Sequence, residues 1–78
     1  MNRQLGEAYF STVLASNVQR DGMGIELTRN FRGKQAIVAE IFFCDANGDF
    51  TLKTFDCDVP VEIIEELIAE ARQALPPK

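Results

Sequence analysis

The sequence predicts an α+β domain, a four-stranded antiparallel β-meander with one C-terminal amphipathic helix packed on one face of the sheet. Three observations carry that prediction. Apolar residues recur every second position through much of residues 23–55, and every third or fourth position from Val61 onward. Turn sequences separate the period-two runs: Asp21-Gly22, Gly33 within NFRGK, and Asn47-Gly48. The 78 residues hold no repeat, low-complexity tract or linker, so residues 1–78 read as a single small domain.

Residues 9–19, YFSTVLASNVQ, open the meander as a strand paired with 23–29 through the Arg20-Asp21-Gly22 turn. Leu5, Tyr9 and Val13 also share a helical face, so residues 5–19 admit a helix as the alternative. Their β-branched, serine-rich content favours the strand. Next, Met23, Ile25 and Leu27 alternate with Gly24, Glu26 and Thr28, the pattern of a half-buried strand. Residues 35–44, QAIVAEIFFC, form a longer one. Strict alternation points Ile37, Ala39, Ile41 and Phe43 one way, and Val38, Glu40, Phe42 and Cys44 the other. Residues 50–55, FTLKTF, give the last strand, with Phe50 and Leu52 opposed to Lys53 and Phe55.

The helix stripe is Val61, Ile64, Leu67, Ile68, Ala71, Ala74 and Leu75, with Glu62, Glu65, Glu66, Glu70 and Gln73 opposite. Asp58 is placed to cap free amides, and Pro60 suits the first turn, where its missing N–H has no partner to lose. The early glutamates suit the positive end of the helix dipole. Pro76 and Pro77 end the helix, because proline pushes the preceding residue out of α geometry.

One helix covers one face of a sheet. The other face is then left with Val38, Phe42 and Phe55, with Phe31 at its margin, more apolar surface than a small monomer usually leaves in water. Either the N-terminal segment covers it or a second subunit does. The sequence therefore points to a homodimer, with the second copy on that face or on an edge strand.

Composition narrows the classes of function. A chain 46% hydrophobic and 26% charged is that of an ordered soluble protein. No apolar run approaches the roughly 18–20 residues of a membrane span. The start, MNRQLGEAYFSTV, lacks the order of a secretory signal, and a cytoplasmic location is expected. The net charge of −4 argues against nucleic acid, which needs a concentrated positive surface. Charge is uneven: residues 1–38 carry five cations against three acids, and residues 39–78 nine acids against three cations.

The run CDANGDFTLKTFDCD, residues 44–58, gathers two cysteines and four aspartates. If residues 45–49 form a hairpin loop, Cys44 pairs near Phe50 and Cys57 near Ile37. That separates them by roughly 23 Å at 3.3 Å per residue. A disulfide needs Cα atoms within about 7 Å, so the thiols are expected to stay unbridged. With no histidine in the chain, the usual base that activates a catalytic cysteine is missing, and two cysteines at the wrong spacing do not make a zinc site. Asp45, Asn47 and Asp49 resemble the start of a calcium loop, but glycine comes at position four instead of six, and aspartate stands at twelve where glutamate is needed. Hence no metal and no cofactor is expected.

Glu40, flanked by Val38 and Phe42 on one face, is the best candidate for acid–base chemistry, with Glu26 on a neighbouring strand. An outer-face or edge carboxylate that pairs with Lys or Arg across the strands is the favoured reading over that chemistry, and a charged hydrogen bond within a dimer interface is a third. Arg29, Arg32 and Lys34 surround Phe31 in RNFRGK; as a patch for phosphate or a base they are few, and they suit a solubilising hairpin tip. No GxGxxG, P-loop or GxSxG motif occurs.

The stretches DGMGIEL, IVAEIFFCD, FTLKTF and DVPVEIIEELIAEARQALP resemble a group of short uncharacterised bacterial proteins that look like four strands and a closing helix. The similarity covers about residues 20 to 77 and rests on DG-x-G-x-EL, AEIF and the DVP helix start. It implies no activity. In general character the chain is also similar to immunity proteins that neutralise toxins, with Glu62, Glu65, Glu66 and Glu70 as the acidic surface. The function expected from the sequence is a non-enzymatic, self-associating protein-interaction module, whose interface would comprise Val38, Glu40, Phe42, Phe55 and Phe31. A toxin-neutralising protein is the alternative. An enzyme working through Glu40 or Cys44 is the reading the sequence supports least.

Overall fold

The computed structural model of the chain describes residues 1–17 and 21–75, apart from the side chain of Asn17. Five strands follow in order: β1 (Asn2–Leu5), β2 (Ala8–Asn17), β3 (Gly22–Phe31), β4 (Lys34–Cys44) and β5 (Phe50–Thr54). Helix α1 (Val61–Ala74) comes last. Each strand pairs antiparallel with its neighbour in sequence, giving the order β1-β2-β3-β4-β5. The α+β class and the antiparallel meander follow the sequence prediction, but the sheet has five strands, not four.

The additional strand is β1. Its sequence, NRQL, has one apolar residue in four and so shows no alternation. Gly6, at φ +61°, begins the two-residue turn that folds β1 onto Ala8–Ser11 of β2. Leu5 thus belongs to a strand, and the helical alternative for residues 5–17 is overturned. The first part of the expected Arg20-Asp21-Gly22 turn lies outside the described residues; Asp21 has φ +53° and Gly22 opens β3.

The later turns show their chemistry plainly. Arg32 and Gly33, at φ +52° and +80°, make the two-residue turn between β3 and β4 that matches strand twist. Between β4 and β5 only Gly48 of the Asn47-Gly48 pair has positive φ, at +76°. Asn47 acts through its side chain instead, with Oδ1 accepting the Asp49 N–H at 3.0 Å.

The core lies between α1 and one face of the sheet. Ile63, Leu67, Ala71 and Leu75 pack on Phe10, Ile25, Leu27, Val38, Ala39 and Ile41. The centre of the helix stripe is Ile63-Leu67-Ala71; Leu67, Ala71 and Leu75 belong to the stripe read from the sequence, and Ile63 joins it where Val61 was expected. Val61, placed in that stripe, is 73% exposed. Asp58 does not cap the helix. Pro60 is the N-cap residue, without a side-chain hydrogen bond, and its carbonyl accepts the N–H groups of Ile63 and Ile64 at 3.0 and 3.1 Å. At the other end Leu75 is extended, as a residue before proline prefers, and its N–H donates to Ala71 O at 2.8 Å. Pro76 and Pro77 lie outside the described residues.

Ion pairs fix the helix against β1. The Arg3 guanidinium meets Glu66 and, at 3.2 Å, Glu62. Thr12 Oγ1 donates to Glu70 at 2.7 Å, and the amino group of Met1 lies 2.8 Å from the same carboxylate. These acids recur every four residues, on the flank of α1 that faces β1.

Candidate functional site

The residues singled out for an interface do not share one surface. Val38 is 2% exposed and sits in the core, not on the outer face. The cause is a bulge. Leu27 pairs with Ala39 but Thr28 pairs with Ile37, so Val38 is an extra residue in β4. A bulge breaks the alternation on which the face assignment rested. Val38 and Ala39 both turn inward, and Ile37 takes the exposed position.

Phe42 is on the outer face as expected, yet it is only 6% exposed. It pairs with Gly24, and its ring also lies over Gly22. Two glycines leave a trough that the aromatic ring fills, the arrangement by which aromatics compensate strand glycines. Glu40 lies beside it, opposite Glu26 on β3 and Lys53 on β5. Its Oε2 stands 3.0 Å from where a Cβ on Gly24 would be. Lys53 in turn places its ammonium 5.2 Å from the centroid of the Phe55 ring. Phe31 lies on the helix side, lining a groove at the start of α1 with Leu5, Ala8, Phe10 and Pro60. The Arg32 guanidinium stacks 5.2 Å from the Phe31 centroid and reaches Glu7 at 2.8 Å, and Arg29 points into the Phe31 groove. Arg29 and Arg32 thus both flank Phe31, and Lys34 is its cross-strand partner.

The elements thought to carry chemistry are dispersed. Both thiols are unbridged and half-buried. Cys44 pairs with Gly22 at one end of β4, whereas Cys57 Sγ lies 3.8 Å from the carbonyl of Val38, six residues away. That is roughly 20 Å of strand. Asp45 and Asp49 flank the β4–β5 turn, where the Asn47 carbonyl is engaged by backbone. Among the described residues no three Cys, Asp or Glu side chains converge as metal ligands. Three of the four helix glutamates, Glu62, Glu66 and Glu70, are engaged with β1 and its neighbour. No helix among the described residues is long and apolar enough to cross a membrane.

The sequence allowed a second copy on an edge strand without saying which; the open edge is at β5. All five of its residues are exposed. Phe50 and Leu52 face the helix side and, with Ile41, Ile68 and Arg72, line an open groove between β5 and α1. Phe43 supports the groove floor, its ring 5.0 Å from that of Phe50. The signal was present in FTLKT, where Phe50 and Leu52 alternate with Thr51 and Lys53. What could not be read was that the helix would leave them uncovered, because that depends on where α1 lies across the sheet. Compared with protein-family models, with curated proteins and with solved structures, the chain finds no match.

Proposed function

We propose that this protein is a non-enzymatic interaction module that forms a homodimer through the open edge of β5 and the groove beside it. The observation that carries this reading is the exposure of β5. A sheet edge presents unpaired backbone donors and acceptors, and proteins usually blunt such edges with charge, proline or a covering element. β5 has one charge, on Lys53, and that side chain is directed to the outer face opposite Glu40. On the helix side Phe50 and Leu52 remain 39% and 47% exposed beside Ile68. The opposite edge differs: β1 is short and polar, and Arg3 ties it to the helix. With Val38 in the core and Phe42 seated on glycines, the outer face has less need of a cover than the β5 edge has.

Sedimentation equilibrium over a wide concentration range tests the proposal. A dimer is expected that Leu52→Lys converts to a monomer with an unchanged far-UV circular dichroism spectrum. A wild-type chain that stays monomeric at high micromolar concentration refutes it.

A further inference from the structure

The self-association proposed above, on which this inference rests, has a register that the hydrogen-bond pattern of β5 selects. In an antiparallel pair, residues alternate between exchanging backbone hydrogen bonds with the neighbour and turning those groups away. At one end of the β4–β5 ladder, Cys44 N–H donates to Asp49 O at 3.0 Å; at the other, Phe55 N–H donates to Val38 O at 3.1 Å. The register between them is unbroken, from Phe43 opposite Phe50 to Ala39 opposite Thr54. The odd-numbered residues therefore bond to β4. Phe50, Leu52 and Thr54 direct their N–H and C=O groups to the open edge.

From this we infer that two copies join by antiparallel β5–β5 pairing about a two-fold axis through Leu52, making one continuous sheet. In that register Leu52 faces Leu52 of the second copy, and Phe50 faces its Thr54. Every outward backbone group of these three residues then has a partner. The pairing is isologous, so it closes as a dimer instead of propagating. Shifting the register by two residues leaves an outward group unpaired at each end, and shifting it by one sets outward groups against groups already bonded to β4. Side chains agree. The two Leu52 side chains meet over the helix-side grooves, beside both copies of Ile68 and Phe50. On the outer face Lys53 stands opposite Thr51 of the other copy, so no like charges face each other.

The occupant argued here is a second copy, because the strand is self-complementary in backbone pattern and apolar content. There is another uncovered edge. β1 pairs with β2 only as far as Ser11, and beyond it Val13 and Leu14 are 56% and 53% exposed. The test therefore has to separate the two edges.

Cysteine cross-linking does so. In a Cys44→Ser, Cys57→Ser background, Leu52→Cys, Leu14→Cys and Thr51→Cys variants are oxidised with diamide and run on non-reducing gels. Directly opposed residues in a hydrogen-bonded pair have Cα atoms about 5.5 Å apart, within disulfide reach. Leu52→Cys is expected to give a covalent dimer, and Thr51→Cys and Leu14→Cys are expected to stay uncoupled. As a second variant, Thr54→Pro removes an N–H that points away from β4, a position an edge strand tolerates. It should leave the fold intact and weaken the dimer about tenfold or more, since each copy loses a hydrogen bond across the interface. A dimer that cross-links at Leu14→Cys but not at Leu52→Cys overturns this register and this edge, leaving self-association standing. A wild-type monomer in sedimentation overturns both.

Discussion

Gly22→Ala probes the trough that holds Phe42. An alanine Cβ at position 22 would fall 2.1 Å from the carbonyl oxygen of Phe43 and 2.6 Å from Cζ of Phe42. Comfortable contact between such atoms needs about 3.5 Å. The carbonyl belongs to the β3–β4 ladder and cannot rotate away, so the strands must part or the ring must leave. Overpacking of this kind costs about 1–3 kcal/mol. Expelling a 6%-exposed phenylalanine forfeits about 1.5–3 kcal/mol more. The cost is about 1–3 kcal/mol if one of these happens and up to about 6 kcal/mol if both do, a large part of the roughly 4–12 kcal/mol expected for a chain of 78 residues. At about 4–8 °C per kcal/mol, a loss of about 3 kcal/mol lowers Tm by on the order of 12–24 °C. Gly24→Ala is the internal control. Its Cβ would meet Glu40 Oε2 at 3.0 Å, the far end of a flexible side chain, and Ile41 O at 3.3 Å. Its cost should stay within about 1 kcal/mol, partly offset by the better strand propensity of alanine. Urea unfolding followed by circular dichroism, at one fixed protein concentration, measures both. A Gly22→Ala protein within about 0.5 kcal/mol of wild type, or one more stable than Gly24→Ala, would show that the trough does not constrain the sheet.

Other substitutions test other joints of the fold. Val38→Ala should cost about 2 kcal/mol in urea unfolding, whereas Ile37→Ala should cost under about 1 kcal/mol; the reverse order would refute the bulge. Leu67→Ala removes a fully buried side chain from the centre of α1 and should cost about 2–5 kcal/mol. Arg3→Gln removes the cation between Glu62 and Glu66, a partly exposed cluster, so its cost should be at most about 1 kcal/mol. That difference should shrink toward zero as sodium chloride is raised to about 1 M, where screening acts within about 3 Å.

The sequence exposed the parts of this structure that local chemistry decides. The change of period before Val61, the Gly33 and Gly48 turns, and the proline after Leu75 each constrain their own neighbourhood, and each element formed where they predict. Three features depended on non-local geometry. The phase of the helix stripe was ambiguous because Val61, Ile63 and Ile64 are all apolar; the angle of α1 over the sheet buries Ile63 and exposes Val61. The bulge at Val38 has no mark in QAIVAEIFF, since a run apolar on both faces hides a slip of one residue. β1 is too short and too polar to announce itself, and it is stable because β2 supplies its hydrogen bonds and α1 supplies acids for Arg3. The candidate site followed the same division. Phe50 and Leu52 could be assigned to a face, but not to an open edge, until the path of α1 was known.

The neighbour-by-neighbour order of the strands also sets how the chain can assemble in time. Each hairpin joins segments only a few residues apart, so the sheet can zip from several starting points with little loop-closure entropy at each step. Helix α1 is different: its contacts to Arg3 and Thr12 span 58 to 63 residues. The helix is therefore expected to dock last and detach first, leaving Phe10, Ile25 and Leu27 briefly wet. Amide exchange should then be faster along α1 than along β3, the central strand of the sheet. In the open form the apolar sheet face, not the native surface, becomes the site from which aggregation starts.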